Sequence, residues 1–432
     1  MNYWQRSFLS RKIVFAFVVS VSLARILYAI FIIDPNSGQD APSYSADATS
    51  VLSDGFFAPL SFAPTWPIGY TWFISVIWSI FGIYSRWLGV IQCLLVALAS
   101  YSIFRLARRE FDERVATIAL VLFASSPAIF VSSGEIMYEM SSMCFLVIAT
   151  DLLSQFIRGV NKSKTSLLVG TILLFLAALI HPSILPVSLI ILLSIFLRFG
   201  TKLRRRYLYV TILVAAILMA PALTMVRNVA AGDGLGYTRS AAMNMLAAGW
   251  GQNRSSERDT CLEQGNQNWD DARRSMCLII VTSKDPIYLG EVLLKNTNRW
   301  VSPYIGIMKG NGTWYHGLDW RRIFTWYTWW DGPWKVFDFI LCYIWISISV
   351  GLFLLGLSTF RSSPKWANKY ELAAYQLFLA PIATAFLVSL FTFGDSRHRL
   401  IVSPFIIVFY ALGIQKILDS KKLKLRKNIR DS

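Results

Sequence analysis

Charge is what this chain of 432 residues has least of: Asp, Glu, Lys and Arg make up 16% of it, against 55% hydrophobic residues and a mean hydropathy of +0.49. Together with repeated apolar runs of fifteen to twenty-four residues, that balance excludes a soluble globular protein and indicates a polytopic helical membrane protein. There is no P-loop, no Gly-x-Gly-x-x-Gly after a strand and no Cys/His spacing of a structural zinc site, so no nucleotide or zinc module is marked. An internal repeat and a low-complexity tract are also missing, which sets aside solenoids and arrays. Of only five cysteines, Cys93, Cys144 and Cys342 lie in apolar runs, where a buried free thiol is the default. Cys261 and Cys277 share a long polar loop and are candidates for a bridge if that loop is extracytoplasmic. Acid is scarce too: 25 Asp and Glu against 42 Lys and Arg leave a net charge of +17. The basic residues fall in short clusters between apolar runs and in a tail from Lys416 to Arg430, the distribution of a positive-inside topology, so no nucleic-acid partner is expected.

What is present sorts into spans. Ile13 to Ile33 is too long for a signal-peptide core and has no small-residue cleavage site, so it reads as a retained first span with a cytoplasmic N-terminus. The next inside marker is the cluster Arg105 to Arg114, yet two apolar segments, Trp66 to Ile83 and Trp87 to Phe104, lie before it. Only one can be a full crossing, and Trp66 to Ile83, tryptophan-rich and short for about 30 Å of hydrocarbon, reads as an interfacial or re-entrant helix. The alternation then continues through Val115–Val131, Tyr138–Ile157, Ser166–Ile180, Ser183–Leu197, Tyr207–Met225, Val336–Thr359, Glu371–Phe393 and Leu400–Ile417. The predicted fold is all-α, with about ten transmembrane helices, juxtamembrane helices in the first outer loop and one long extracytoplasmic loop. Within that loop, Pro286 to Trp300 is amphipathic and suits the bilayer surface. The units are 1–225, a transmembrane module with the outer loop 34–86; 226–335, the extracytoplasmic loop; 336–417, the last spans; and 418–432, a basic cytoplasmic tail.

This topology brings the unusual polar residues to the outer helix ends. The first outer loop carries Asp34, Asp40, Asp47 and Asp54 among prolines and aromatics, a composition that solvation does not require. Asp40 opens Asp-Ala-Pro-Ser-Tyr, with Tyr44 four residues on, at or just before a helix start; an N-cap role and a chemical one both fit. Asp34 suits the end of the first span, while Asp47 and Asp54 read as solvated. Glu135 and Glu139 are one helical turn apart in the second outer connection and can present two carboxylates to one face, or cap the next span. His181 stands before Pro182 between two apolar runs, either as a turn residue or as a cation beside a lipid phosphate. Arg227 ends an outward span, and Arg397, His398 and Arg399 open the last one. Arginines at outer helix ends run against the positive-inside bias and suit anion binding. Arg25, inside the first span, needs to face the bundle or snorkel.

In order along the chain, Asp40 with Tyr44, Trp66-Pro67-Ile68-Gly69-Tyr70, Phe81-Gly82, Glu139, His181-Pro182, Arg227-Asn228 and the run from Gly394 to Pro404 resemble the motifs of GT-C superfamily glycosyltransferases. The chain is most similar to the polyprenyl-phosphate-sugar transferases that include the protein O-mannosyltransferases and the lipid A aminoarabinose transferase. It departs from the first group in having Ala41 where a second acid follows the first, and from relatives generally in having His181 where Arg or Lys precedes the proline.

The resemblance implies an inverting transfer of a monosaccharide from a polyprenyl-phosphate donor to a hydroxyl of a cell-envelope glycan, lipid or protein, on the outer side of a bacterial inner or plasma membrane. It implies Asp40 as base, with Asp34 as its substitute, Glu139 as a supporting acid, and Arg227, Arg397, Arg399 and His181 at the donor phosphate. Tyr44, Glu135 and His398 are further candidates. A divalent cation is left open. The rivals are a transporter or flippase of a lipid-linked sugar and a non-catalytic glycan-binding membrane subunit. A transporter would more often show inverted repeats and charges at mid-membrane depth, and there is little of either.

Overall fold

The computed structural model describes residues 11–33, 41–60, 68–157, 164–198, 206–232, 277, 286–301, 344, 347–359, 369–391 and 399–431. Among these the regular structure is entirely helical. Helix α1 spans Arg11–Phe31, α2 Ala41–Asp54, α3 Ile68–Phe81, α4 Trp87–Glu110, α5 Glu113–Ala124, α6 Pro127–Ser132, α7 Tyr138–Ile157, α8 Lys164–Ile180, α9 Ile184–Arg198 and α10 Arg206–Ala230. Four more follow: α11 Pro286–Val301, α12 Ser347–Thr359, α13 Lys369–Phe391 and α14 Ser403–Asp431. Asp34, Asp40, Cys261, Cys342, Arg397 and His398 lie outside the described residues.

Among the described residues three stretches are long and apolar enough to cross a membrane by length and composition alone: Lys12–Phe31, Trp87–Glu110 and Thr211–Ala230. With the shorter apolar helices packed beside them, they make the chain an integral membrane protein. The core is a bundle in which α4 packs on α1, α5 and α7, α7 on α8, α10 on α8, α13 on α9, and α14 on α5.

Two charge arrangements orient it. At one end, Arg105 and Arg109 of α4 both pair with the buried carboxylate of Asp151 on α7; Arg105 Nε lies 2.9 Å from Oδ2, and Gln155 Nε2 donates to the same oxygen at 3.1 Å. This is the end that the sequence marks as cytoplasmic. Toward the other end, Arg25 turns inward as the sequence requires. It is 1% exposed, donates from Nη2 to Ala124 O at 2.5 Å and lies 5.8 Å from the Phe130 ring. Ala124 is the last residue of α5, so the guanidinium sits where a helix leaves carbonyls unpaired and carries its negative pole.

The Val115–Val131 segment is not one helix. Ser125, Ser126 and Pro127 break it, because a proline cannot donate into the ladder and restricts the residue before it. The first outer loop is itself helical. Gly55 at φ +93° ends α2 and Gly82 at φ +92° ends α3, in a backbone conformation that a side chain disfavours. Ser75 Oγ of α3 donates to Ala48 O of α2 at 3.2 Å, and Trp72 Nε1 donates to Phe56 O at 3.0 Å. Both ends of α3 lie against the same end of the bundle: Gly69 abuts the backbone of Leu179 near the end of α8, and Phe81 stacks on Trp87 at the start of α4, 4.9 Å between centroids.

Two backbones approach closely elsewhere. A Cβ on Gly356 of α12 would overlap Phe409 O of α14, and one on Gly413 of α14 would overlap Leu352 O of α12. Such mutual small-residue crossings hold helices together by dispersion where lipid offers no hydrophobic drive.

Replacing Asp151 by Asn leaves Arg105 and Arg109 facing one another without their shared anion. The expected outcome is a loss of roughly 2 kcal/mol, discounted for the part-exposed arginines, read as a lower melting temperature of the detergent-solubilised protein.

Candidate active site

The end of the bundle that the sequence reads as outer is organised by a chain of rings. Tyr44, on the buried face of α2, meets Tyr70 of α3 edge-on at 5.1 Å and Tyr138 of α7 at 5.7 Å. Tyr138 in turn stacks on His181 at 4.8 Å and 28°. All four are buried. Three apolar segments and the first outer loop thus converge on one point, and Tyr44 and His181, singled out in the sequence, belong to it. Aromatic pairs in such geometry add about 0.5–1.5 kcal/mol each beyond their buried area.

His181 follows the last residue of α8, and its Nδ1 accepts the backbone N–H of Ser183 at 3.1 Å. A ring nitrogen that accepts carries no proton, so in this arrangement the imidazole is neutral and bears its proton on Nε2. Pro182, which has no N–H, leaves Ser183 as the first available donor of the turn.

The two acids of the second outer connection are both deeply buried: Glu135 is 2% exposed and Glu139 fully enclosed. The one-turn spacing does not place them on one helical face, because α7 begins only at Tyr138 and Glu135 belongs to the preceding turn. Glu139 lies in the first turn of α7, where the helix dipole favours its ionised form. Burial above all, and the charges of Glu139 and then Glu135, hold the Tyr70 phenol well above its ordinary range against a backbone contact with Met137, so it stays a donor.

Gln92 of α4, 1% exposed, is a polar residue that the sequence reading passed over. Its Oε1 accepts from Tyr70 Oη at 3.0 Å and from Ser141 Oγ at 3.1 Å; its Nε2 donates to Ser133 O at 3.3 Å and Glu135 O at 2.6 Å. The signal available was an amide within the apolar run from Trp87, where a polar group is costly without partners.

Arg227 is fully buried in the last turn of α10, which continues through Pro221. Its Nη2 donates to Ala58 O of the first outer loop and its Nη1 to Asn228 Oδ1 at 2.9 Å, so α10 clamps that loop. Arg399, before α14, donates from Nη1 to Trp300 O at 2.9 Å, and the Trp300 ring meets Phe386 at 5.1 Å. Asp47, expected in solvent, is 3% exposed: α2 buries Ala41, Tyr44, Ser45, Asp47, Ala48 and Val51 on the face it turns to the bundle. Asp54 at its end is exposed as expected. Asp40 directly precedes Ala41, the first residue of α2, in sequence.

Among the described residues no group of three or more His, Cys, Asp or Glu could hold a metal ion. Cys277 is disulfide-bonded, and Cys93 and Cys144 are free and buried.

Residues 65–224 match the family model described as dolichyl-phosphate-mannose-protein mannosyltransferase. No curated protein sequence matches the chain significantly. Among solved structures, the archaeal oligosaccharyltransferase AglB from Archaeoglobus fulgidus, in complex with an inhibitory peptide and a dolichol-phosphate, aligns over 98% of this chain at 14% identity with a TM-score of 0.52. The apo form of the Archaeoglobus fulgidus oligosaccharyltransferase gives 15% identity and a TM-score of 0.51 over 98% of this chain. The chain spans about half the length of these structures, 52% of each. ArnT from Cupriavidus metallidurans bound to undecaprenyl phosphate aligns at 12% identity, over 94% of this chain and 78% of that one, with a TM-score of 0.40. The fold is that of the GT-C superfamily, as the ordered motifs led one to expect.

Gly69 offers a direct probe of the ring chain, since a Cβ there would overlap the backbone of Leu179 and move α3, carrying Tyr70. Gly69→Ala is expected to destabilise by about 1–3 kcal/mol, seen as a lower melting temperature in detergent, whereas Gly290→Ala, with open space around it, leaves melting unchanged.

Proposed function

We propose that the chain is an inverting glycosyltransferase that moves a monosaccharide from a polyprenyl-phosphate donor to a hydroxyl of a cell-envelope glycan, lipid or protein. The observation that carries this reading is the gathering of Tyr44, Tyr138, Glu139 and His181, with the Arg227 clamp, at one end of a GT-C bundle. The family match over 65–224 covers α3 to α9 and most of α10, and with them Tyr138, Glu139 and His181 but neither Tyr44 nor Arg227.

In this reading ten crossings leave both termini in the cytoplasm and the reacting end on the outer side of a bacterial inner or plasma membrane. The 1–225 module with loop 34–86 holds most of the machinery, 226–335 is an extracytoplasmic loop, helices of 336–417 complete the bundle, and 418–432 stays inside. Asp40, the residue before α2 in sequence, takes the proton of the acceptor hydroxyl, with Asp34 as its substitute. The oxygen attacks the anomeric carbon as the bond to the lipid phosphate breaks, so the sugar inverts and the phosphate leaves with the electron pair. Arg227, Arg397 and Arg399 balance the charge that develops on the departing phosphate, with His398 beside them. A neutral His181 contributes a hydrogen-bond donor through Nε2 rather than a full charge. Glu139 supports the site as a second acid, with Glu135 as a further candidate and Tyr44 packing α2, the helix that follows Asp40 in sequence. A divalent cation, if used, would draw on carboxylates of the first outer loop.

Asp40→Asn is expected to lower turnover by about 10²–10⁴-fold, the contribution of a positioned general base, with melting and donor binding retained. The assay is mass-spectrometric transfer from a series of polyprenyl-phosphate sugars, repeated with chelator. Turnover of the variant at the level of the parent chain would remove Asp40 as base.

A further inference from the structure

We infer that Gln92 is a positioning residue for this chemistry: it fixes the first outer loop against the acids of the second. The inference rests on the transfer reading above.

All four hydrogen-bonding valences of the amide are used. The two N–H groups face carbonyls, Ser133 O and Glu135 O, which only accept; the oxygen faces two hydroxyls, Tyr70 Oη and Ser141 Oγ, which donate to it. The amide therefore fits in one orientation only, and no other natural side chain of that length supplies two donors and two acceptors at once. Its four partners come from separate pieces: α3 of the first outer loop, the turn before α7, and the first turn of α7 two residues beyond Glu139.

Tyr70 passes the constraint on. Its hydroxyl is tied to Gln92 while its ring lies edge-on to Tyr44, four residues after Asp40 in sequence. Ser133 is held a second time, by Cys93 Sγ at 3.5 Å from its Oγ, so the turn is fastened to adjacent residues of α4. Gly89, one turn earlier on α4, packs closely on Gly134, whose carbonyl oxygen would lie 3.0 Å from an added Cβ, and this close approach brings the turn within the amide's reach. A buried amide with full pairing contributes direction more than raw stability, since an apolar residue of the same shape removes its desolvation cost as well.

The test uses the full chain in detergent, with three readouts: melting temperature, binding of undecaprenyl phosphate, and transfer kinetics with the donor series. Gln92→Leu is expected to lower kcat at least tenfold while the KM for donor and the undecaprenyl phosphate affinity stay within about threefold. Gln92→Glu offers no N–H to the two carbonyls when ionised and one O–H when protonated, so its kcat is expected to recover as pH is lowered, whereas the parent chain does not show that rise. Tyr70→Phe removes one of the four bonds and keeps the packing, and a smaller loss of kcat is expected. If Gln92→Leu does not fold, Gln92→Glu and Tyr70→Phe decide: parent kcat and an unshifted pH profile in both overturn the role. Parent kcat in a folded Gln92→Leu overturns it as well. A folded parent chain that binds undecaprenyl phosphate yet transfers no sugar removes the transfer reading itself, and this role with it.

Discussion

Hydrocarbon supplies no hydrogen bonds, and the costliest polar side chains in this bundle, Arg25, Asp151 and Gln92, bring partners with them. Arg25 takes the last carbonyl of α5, Asp151 takes two arginines, and Gln92 takes four separate groups. These attachments sit at different depths. The Asp151 cluster closes the end marked as cytoplasmic, Arg25 joins α1 to the turn above α5, and the Gln92 network opens onto the candidate active site. The apolar helices provide the mass of the bundle, but the polar contacts choose among the ways those helices could be turned.

Much of this was legible because apolar run length and basic clusters answer to the same membrane. The limits of α7, Tyr138–Ile157, are those read from the sequence, since an acidic, glycine-bearing turn precedes it and a basic cluster follows it. Within Trp66–Ile83, which the parity argument sets apart from the full crossings, the chain forms the fourteen-residue helix α3. The ordered motifs pointed to the GT-C fold, and a family model and solved structures at 14–15% identity agree.

Other features were not legible, for particular reasons. Asp47 has the composition of a solvated residue, and only the docking of α2 by its Tyr44 face buries it. Glu135 and Glu139 have helical spacing, but the turn holding the first of them is pinned by Gln92, and the helix starts late. The Val115–Val131 run is mostly apolar, so hydropathy joins α5 and α6 across a Ser-Ser-Pro break. Gln92 itself is one amide in a long span, and its meaning lies in partners 22 to 49 residues away. Shared fold and separate chemistry also part here: fold likeness at such low identity fixes where a site can be built, whereas the side chains present determine what it does.

The reciprocal glycines of α12 and α14 have a consequence for how this protein can change. Most interfaces can be improved by filling space, but the crossing of Gly356 with Phe409 O and of Gly413 with Leu352 O depends on atoms that are not there. No side chain can be added to it, and neither helix can roll about its axis without driving a neighbouring Cβ into a carbonyl. Variation in sequence is therefore channelled away from this seam, toward the lipid-facing sides of the same two helices, which can drift freely while the crossing between them stays as it is.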